Sequence, residues 1–218
     1  LKTALIIGST GLVGSQLLDL LLESNDYKNV IAFTKRDMNI NHPKLVQHII
    51  DFDKPESYKH LVIGDDFFCC IGTTIKVAGS QKAFRKVDFE YPKQFALYAL
   101  ENKVEQFLLI SALGAKANSS NFYLKTKAEI ENFLKECTFE SVAVLRPSLL
   151  LGDRSQFRFA EKMGAYFMKV FSFVFVGKLK KFKAIESKVL AKALLNVANT
   201  TRKGIVIYES DEIQEIGK

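Results

Sequence analysis

Short apolar runs alternate along this chain with longer stretches whose apolar residues recur every three or four positions. Thr3–Ile7 is a continuous apolar run of strand length. Successive strand side chains point to opposite faces, so such a run predicts a strand covered on both sides. Leu17, Leu18, Leu20, Leu21 and Leu22 follow at helical spacing. Further strands are expected at Asn29–Thr34, Leu45–Phe52, Asp66–Ile71, Gln106–Ile110 and Ser141–Leu151, with a late strand at Ile205–Tyr208. Ser80–Asn102 reads as one long helix, with Phe84, Val87, Tyr91, Phe95 and Tyr98 on one stripe. Phe122–Cys137 and Glu186–Ala198 read as two more helices. Strand–helix–strand units imply parallel strands with right-handed crossovers. The expected architecture is therefore α/β: one domain over 1–218, a doubly wound parallel sheet carrying a small C-terminal substrate lobe at 153–185. In such sheets ligands bind beyond the carboxyl ends of the strands, where the strand order reverses.

Hydrophobic residues make up 48% of the 218, enough to bury a sizeable core. The formal charge is +7, with lysines scattered along the chain, which fits a solvated basic surface. No recognition-helix or RNA-platform motif is present, so nucleic acid is not an expected partner. Cys69, Cys70 and Cys137 lack the spacing of a zinc or redox pair, and His42, His48 and His60 form no metal pattern, so no metal is expected. The absence of a disulfide framework, with no basic segment leading into an apolar one at the start, points to a reducing cytoplasmic setting. The longest apolar stretch, Met163–Gly177, is broken by Lys169 and is too short to span a bilayer as a helix.

The first strand runs directly into Gly8-Ser9-Thr10-Gly11-Leu12-Val13-Gly14, which opens the first helix. A glycine turn in that position lets backbone amides approach a diphosphate, and the helix N-terminus adds unpaired N–H donors with a partial positive charge. A dinucleotide site is expected there. The end of the second strand selects the coenzyme. A carboxylate accepting from the ribose 2′-hydroxyl marks NAD, whereas this chain has Thr34-Lys35-Arg36, two cations suited to the 2′-phosphate of NADP. NADP is expected over NAD. Asp51-Phe52 closes the third strand; Asp51 either accepts from the adenine amino group, with Phe52 covering the ring, or caps the next short helix.

Tyr123 and Lys127 stand four apart in the helix Phe122–Cys137 and so share a face. An ammonium beside a phenol favours the phenolate, moving it down from about 10 toward neutral pH. The tyrosine can then exchange a proton with a carbonyl or alcohol. Ser111, at the end of the fifth strand, offers a hydroxyl to the substrate oxygen.

Taken with this order of motifs, the stretches Cys70-Ile-Gly-Thr-Thr74, Ser111-Ala-Leu-Gly-Ala115, Ser119-Ser-Asn-Phe-Tyr-Leu-Lys-Thr-Lys127 and Leu145-Arg-Pro-Ser-Leu-Leu-Leu-Gly-Asp-Arg154 resemble the short-chain dehydrogenase/reductase superfamily. They are similar to its atypical branch, which includes the animal Tat-interacting oxidoreductase-like proteins and bacterial relatives. The likeness runs from Gly8 to about Arg154. It implies an NADP-binding Rossmann domain and a triad of Ser111, Tyr123 and Lys127, with Lys127 also touching the nicotinamide ribose. It further implies that Ile71, Gly72 and Thr73 pass beside that ribose and that Pro147 sits by the nicotinamide. The spacing G-x-x-G-x-x-G is that of the extended and atypical branches. The part after Arg154 is short beside the sugar-nucleotide epimerases, which argues against a sugar-nucleotide substrate.

Phe157, Phe159, Tyr166, Phe167, Phe171, Phe173, Phe175 and Phe182 make the lobe aromatic. They predict an apolar substrate pocket, a subunit contact, or a buried helix followed by a basic loop at Lys178–Lys183; a peripheral membrane contact is the weaker alternative. Monomer and dimer both remain open. Two functions compete: an NADP-dependent oxidoreductase moving hydride to or from a carbonyl or alcohol carbon of a small molecule, and a non-catalytic module that senses NADP(H).

Overall fold

The structure, a computed structural model, describes residues 1–152, 182–200 and 202–218. The substrate lobe expected at 153–185 and its aromatic residues lie outside the described residues, apart from the last four positions.

Seven strands form one parallel sheet: β1 (Lys2–Ile7), β2 (Tyr27–Thr34), β3 (Leu45–Ile49), β4 (Asp66–Cys69), β5 (Gln106–Ile110), β6 (Ser141–Arg146) and, late in the chain, a strand at Gly204–Glu209. Two short segments, β7 (Leu150–Leu151) and β8 (Ile185–Glu186), pair separately, so the late strand is β9. The order β3-β2-β1-β4-β5-β6-β9 is that of a doubly wound Rossmann sheet. It reverses between β1 and β4. The crevice at their carboxyl ends therefore receives the turn after Ile7 and the segment after Cys69.

The continuity of the apolar run in β1 has a direct cause. Ala4 and Ile6 face one core, while Leu5 and Ile7 face the other, and all four are fully buried. The first core is closed by helix α1 (Leu12–Glu23) and by a late helix, Ser187–Ala198. The second is closed by the helices between β4 and β6 and is dense in rings: Phe33, Phe52, Tyr58, Phe67, Phe95 and Phe107 are all buried there. Full burial of one such side chain contributes roughly 1.5–3 kcal/mol.

The long helix expected at Ser80–Asn102 is interrupted. The chain forms α2 (Ile75–Ala78), α3 (Gln81–Arg85), a π-helical turn over Lys86–Glu90, and α4 (Tyr91–Glu101). Pro92 explains the turn: it has no N–H to give the carbonyl of Asp88, and its ring crowds that oxygen, so the ladder widens one turn earlier. Helix α5 (Phe122–Glu136) matches the expected helix to one residue. It is followed by α6 (Ser187–Ala198) and α7 (Ser210–Ile216), the last begun by a reciprocal cap between Glu209 and Glu212.

Strand ends also differ from expectation. β3 stops at Ile49, because Asp51 turns the chain by accepting the N–H of Asp53 at 3.0 Å. β4 stops pairing at Cys69, after which the Cys70 amide bonds to the Ile7 carbonyl at 3.0 Å and draws the chain over the glycine turn. The strand expected at Ser141–Leu151 breaks at Pro147, and only its last two residues pair again, as β7.

Candidate functional site

Gly8 has φ +81°, and a Cβ there would lie 2.5 Å from the Cys70 carbonyl carbon; at Gly14 it would lie 2.1 Å from the Gly8 oxygen. These two residues close the turn by backbone contact that no side chain permits. Gly11 donates to the Gly8 carbonyl at 2.9 Å and stands at the N-cap of α1. No side chain caps this 12-residue helix and no acidic residue occupies its first turn. The amides beginning at Leu12 and Val13 thus present unpaired donors and positive potential, the properties a diphosphate requires. Ser9 is buried and gives its hydroxyl to the Met38 sulfur at 3.3 Å, while Thr10 is exposed at the lip.

At the end of β2, Thr34 is buried, and Lys35 and Arg36 are exposed. The Lys35 ammonium stands 5.6 Å from the ring centres of both Phe52 and Tyr91. Phe52 itself is 5% exposed and packs on Tyr58, Tyr91 and Phe95. It is a core residue rather than a free cover for a ring. Asp51 caps no helix, since the short helix Pro55–Ser57 has Lys54 at its N-cap and no side-chain cap; its carboxylate instead accepts the Asp53 amide in a local turn and, at 3.8 Å, faces Lys54.

Helix α5 carries Tyr123 and Lys127, the two residues expected to act as an acid–base pair. Asn121 caps it, accepting from the amides of Tyr123 at 2.9 Å and Leu124 at 3.3 Å, which fixes where the first turn begins. Tyr123 is half-buried with its ring 5.5 Å from that of Phe84. Lys127, one turn on, reaches back beneath the end of β5, where its ammonium lies 3.4 Å from the Ile110 carbonyl. That carbonyl immediately precedes Ser111.

Two carboxylates that pattern reading did not single out complete the arrangement. Asp88, from the π-turn, lies with Oδ1 2.8 Å from the Lys127 ammonium and accepts the Thr73 amide on Oδ2 at 2.9 Å. Asp88 is 1% and Lys127 5% exposed. At that distance the two buried groups form an ion pair, with Oδ1 facing the ammonium and Oδ2 the Thr73 amide. Burial by itself disfavours the charged lysine; the Asp88 charge, with the Tyr123 oxygen beside it, outweighs burial and raises the Lys127 pKa above the ordinary lysine value. Gly72 lies over the pair, where a Cβ would be 3.4 Å from Asp88 Oδ1 and 3.8 Å from Lys127 Nζ. The segment Ile71-Gly72-Thr73 is therefore fastened to the lysine through one aspartate.

The second carboxylate is Glu131, one turn beyond Lys127 and 1% exposed. Ser111 donates its hydroxyl to Glu131 Oε1. Arg146, at the end of β6, grips both oxygens of Glu131, with Nε 3.0 Å from Oε1 and Nη2 2.5 Å from Oε2, and extends Nη1 to Glu209 at 3.1 Å. Ser111 thus points its proton at Glu131, and no hydrogen bond joins it to Tyr123 among the described residues. Pro147, buried next to Arg146, accepts the Leu113 amide at 2.9 Å and holds the loop after Ser111 against the end of β6.

No family model matches the chain. Individual relatives do. It is 37% identical over 158 residues to the protein FMP52, mitochondrial, of Debaryomyces hansenii, covering 71% of this chain and 69% of that protein. It is 33% identical over 170 residues to the protein HTATIP2 of Rattus norvegicus, covering 76% and 70%. Against FMP52 of Meyerozyma guilliermondii the identity is 29% over 99% of this chain. Among solved structures, a UDP-N-acetylglucosamine 4-epimerase from Methanobrevibacter ruminantium superposes with a TM-score of 0.71 at 17% identity, covering 95% of this chain and 76% of that one. The human epimerase family protein SDR39U1, solved with NADPH, superposes at 0.64 and 14% identity, covering 95% and 74%. Both support the same fold.

These relatives correct one expectation. FMP52 is named a mitochondrial protein in Debaryomyces hansenii, Meyerozyma guilliermondii and Candida albicans, so a cytoplasmic placement does not hold. The three free thiols on which it leaned exclude a disulfide framework but carry no address. Among the described residues no helix is long and apolar enough to cross a membrane.

Proposed function

We propose that this chain, which belongs to the atypical short-chain dehydrogenase/reductase family together with FMP52 and HTATIP2, is an NADP-dependent oxidoreductase acting on a carbonyl or alcohol carbon of a small molecule. The observation that carries the reading is the buried Asp88–Lys127 pair beneath the end of β5, one helical turn from a half-buried Tyr123. It keeps an ammonium charged at the place where a phenol must give or take a proton.

The uncapped start of α1 and the turn Gly8–Gly14 fit the coenzyme diphosphate, Lys35 and Arg36 its 2′-phosphate, and Ile71–Thr73, Lys127 and Pro147 its nicotinamide end. When bound, the coenzyme supplies or accepts the hydride. The chain's own residues do the rest. Lys127 stabilises the developing phenolate, Tyr123 exchanges the proton with the substrate oxygen, and Ser111 orients that oxygen. In the free chain the Ser111 proton is directed at Glu131, and Ser111 orients the substrate oxygen by turning that proton toward it, which leaves the alcohol's own proton for Tyr123.

The test is calorimetric titration of NADPH and NADH, with and without Arg36→Ala, followed by a carbonyl and alcohol screen of wild type and Tyr123→Phe. The reading expects tighter NADPH binding that Arg36→Ala weakens, and turnover that Tyr123→Phe removes. Equal or tighter NADH binding would refute the coenzyme assignment. The commitment of the Ser111 proton to Glu131 also favours a second reading, an NADP(H) sensor without turnover. Tight NADPH binding with no substrate consumed on the whole screen would decide for the sensor.

A further inference from the structure

Behind Thr34 the chain continues Lys35-Arg36-Asp37-Met38, so an acid directly follows the two cations. A carboxylate near the end of the second strand is the group that would accept from a ribose 2′-hydroxyl and repel a 2′-phosphate. Asp37 is exposed, but one of its carboxylate oxygens is engaged by its own turn. Its Oδ1 accepts the amide of Asn39 at 2.9 Å, in a turn where Asn39 adopts φ +54°.

One side chain from the neighbouring strand holds this segment in place. Gln47 of β3 donates from Nε2 to the Thr34 hydroxyl at 2.9 Å and to the Arg36 carbonyl at 3.0 Å, and accepts the Met38 amide on Oε1 at 3.3 Å. Both ends of the amide are used, and the three bonds bracket Arg36. A fourth contact, Ser9 to the Met38 sulfur, ties the far end of the segment to the glycine turn. The Arg36 guanidinium makes no ion pair among the described residues, so the backbone alone decides where it starts from.

We propose that Gln47 is a specificity-determining positioning residue: it fixes the Lys35–Met38 segment so that Arg36 and Lys35 meet the 2′-phosphate while Asp37 is kept on its own turn. The inference rests on the NADP reading above and adds the residue that produces the selectivity. A flexible segment would have to be ordered on binding, and ordering opposes affinity. It would also free Asp37 to swing toward the phosphate.

The experiment uses the full chain and two fragments that isolate this end of the coenzyme, 2′,5′-ADP and ADP, titrated calorimetrically into wild type, Gln47→Met, Gln47→Ala, Arg36→Ala and the double variant Gln47→Ala/Arg36→Ala. Gln47→Met keeps the length of the side chain and removes every hydrogen bond. The expected result is a loss of about tenfold in 2′,5′-ADP affinity, the size of one charge-assisted contact, with ADP affinity changed less than twofold. Because Gln47 acts through Arg36, Gln47→Ala should cost little further in the Arg36→Ala background. Unliganded melting temperatures of the variants provide the check on folding. Parallel losses for both fragments, unchanged binding of both, or full additivity with Arg36→Ala would each overturn the proposal. Wild type that binds ADP as tightly as 2′,5′-ADP would instead remove the NADP reading, and the inference with it.

Discussion

Asp88→Asn neutralises one member of an enclosed ion pair while preserving its shape and an acceptor for the Thr73 amide. It leaves the Lys127 ammonium, its side chain 6% exposed, without a charged partner among the described residues, facing the Ile110 carbonyl at 3.4 Å. At 2.8 Å and an effective dielectric constant of about 20, the lost attraction is about 6 kcal/mol. The lysine can relieve the defect by losing its proton. From an ordinary value of 10.5, that costs about 5 kcal/mol at pH 7 and about 2 kcal/mol at pH 9. Broken buried pairs typically cost about 3–5 kcal/mol, so a loss of that size is expected at pH 7. The pH dependence carries a sign. In wild type the folded Lys127 is raised above its unfolded value, so its contribution is complete below the ordinary lysine range and fades only as pH climbs through the raised value. Between pH 7 and 9 the wild-type pair is therefore silent. In Asp88→Asn the order inverts: the unfolded chain binds the proton more tightly, and stability rises with pH. Urea denaturation at pH 7 and pH 9 should show the gap between the two proteins shrinking to about 2 kcal/mol. A loss under about 1 kcal/mol at pH 7, or a gap that ignores pH, would refute the ionic account of this pair.

Gly8→Ala places a Cβ 2.5 Å from the Cys70 backbone at φ +81°; it should abolish coenzyme binding and lower the melting temperature sharply, and calorimetric binding at wild-type affinity would contradict the turn described above. Glu131→Gln leaves Arg146 with only Glu209 and weakens the acceptor for Ser111; because Arg146 is partly exposed, a loss of about 2–3 kcal/mol in urea is expected, and no loss would mean that solvent already satisfies the arginine. Asp66 is held above the ordinary carboxylate range by burial, despite Tyr27 at 2.6 Å and Lys2 at 3.0 Å. A raised carboxyl favours the folded state at low pH, and that advantage is lost as pH rises through the folded value. Asp66→Asn should therefore gain on wild type as pH climbs from 4 to 7, and parallel stability curves would show that Asp66 titrates normally.

What was legible in the chain and what was not divide along a physical line. The sheet could be read because β1 has two cores to satisfy, so Ala4, Leu5, Ile6 and Ile7 are all apolar without alternation. The glycine turn could be read because backbone contact at Gly8 and Gly14 admits no other residue. Helix α5 could be read because Asn121 marks its start and Tyr123 and Lys127 share its face. Phe52 is ambiguous in the sequence, because an aromatic residue after a strand looks the same whether it covers a ligand or fills a core; the structure packs it against the rings of Tyr58, Tyr91 and Phe95. Asp88 and Glu131 are hard to read from the chain for a different reason. Each interrupts an apolar stripe, Asp88 between Phe84 and Tyr91, and Glu131 between Ile130 and Leu134. A charge at a core phase is unfavourable unless a partner waits for it, so each was a signal that something cationic lay opposite. Periodicity cannot name that partner, because Lys127 and Arg146 arrive from other elements and Pro92 shifts the phase of the helix by a π-turn. Both acids hold the groups expected to do the chemistry, the lysine and the serine. In this fold, then, an acid at an apolar position on the helices flanking the last strands is the place to look for what sets the state of the site.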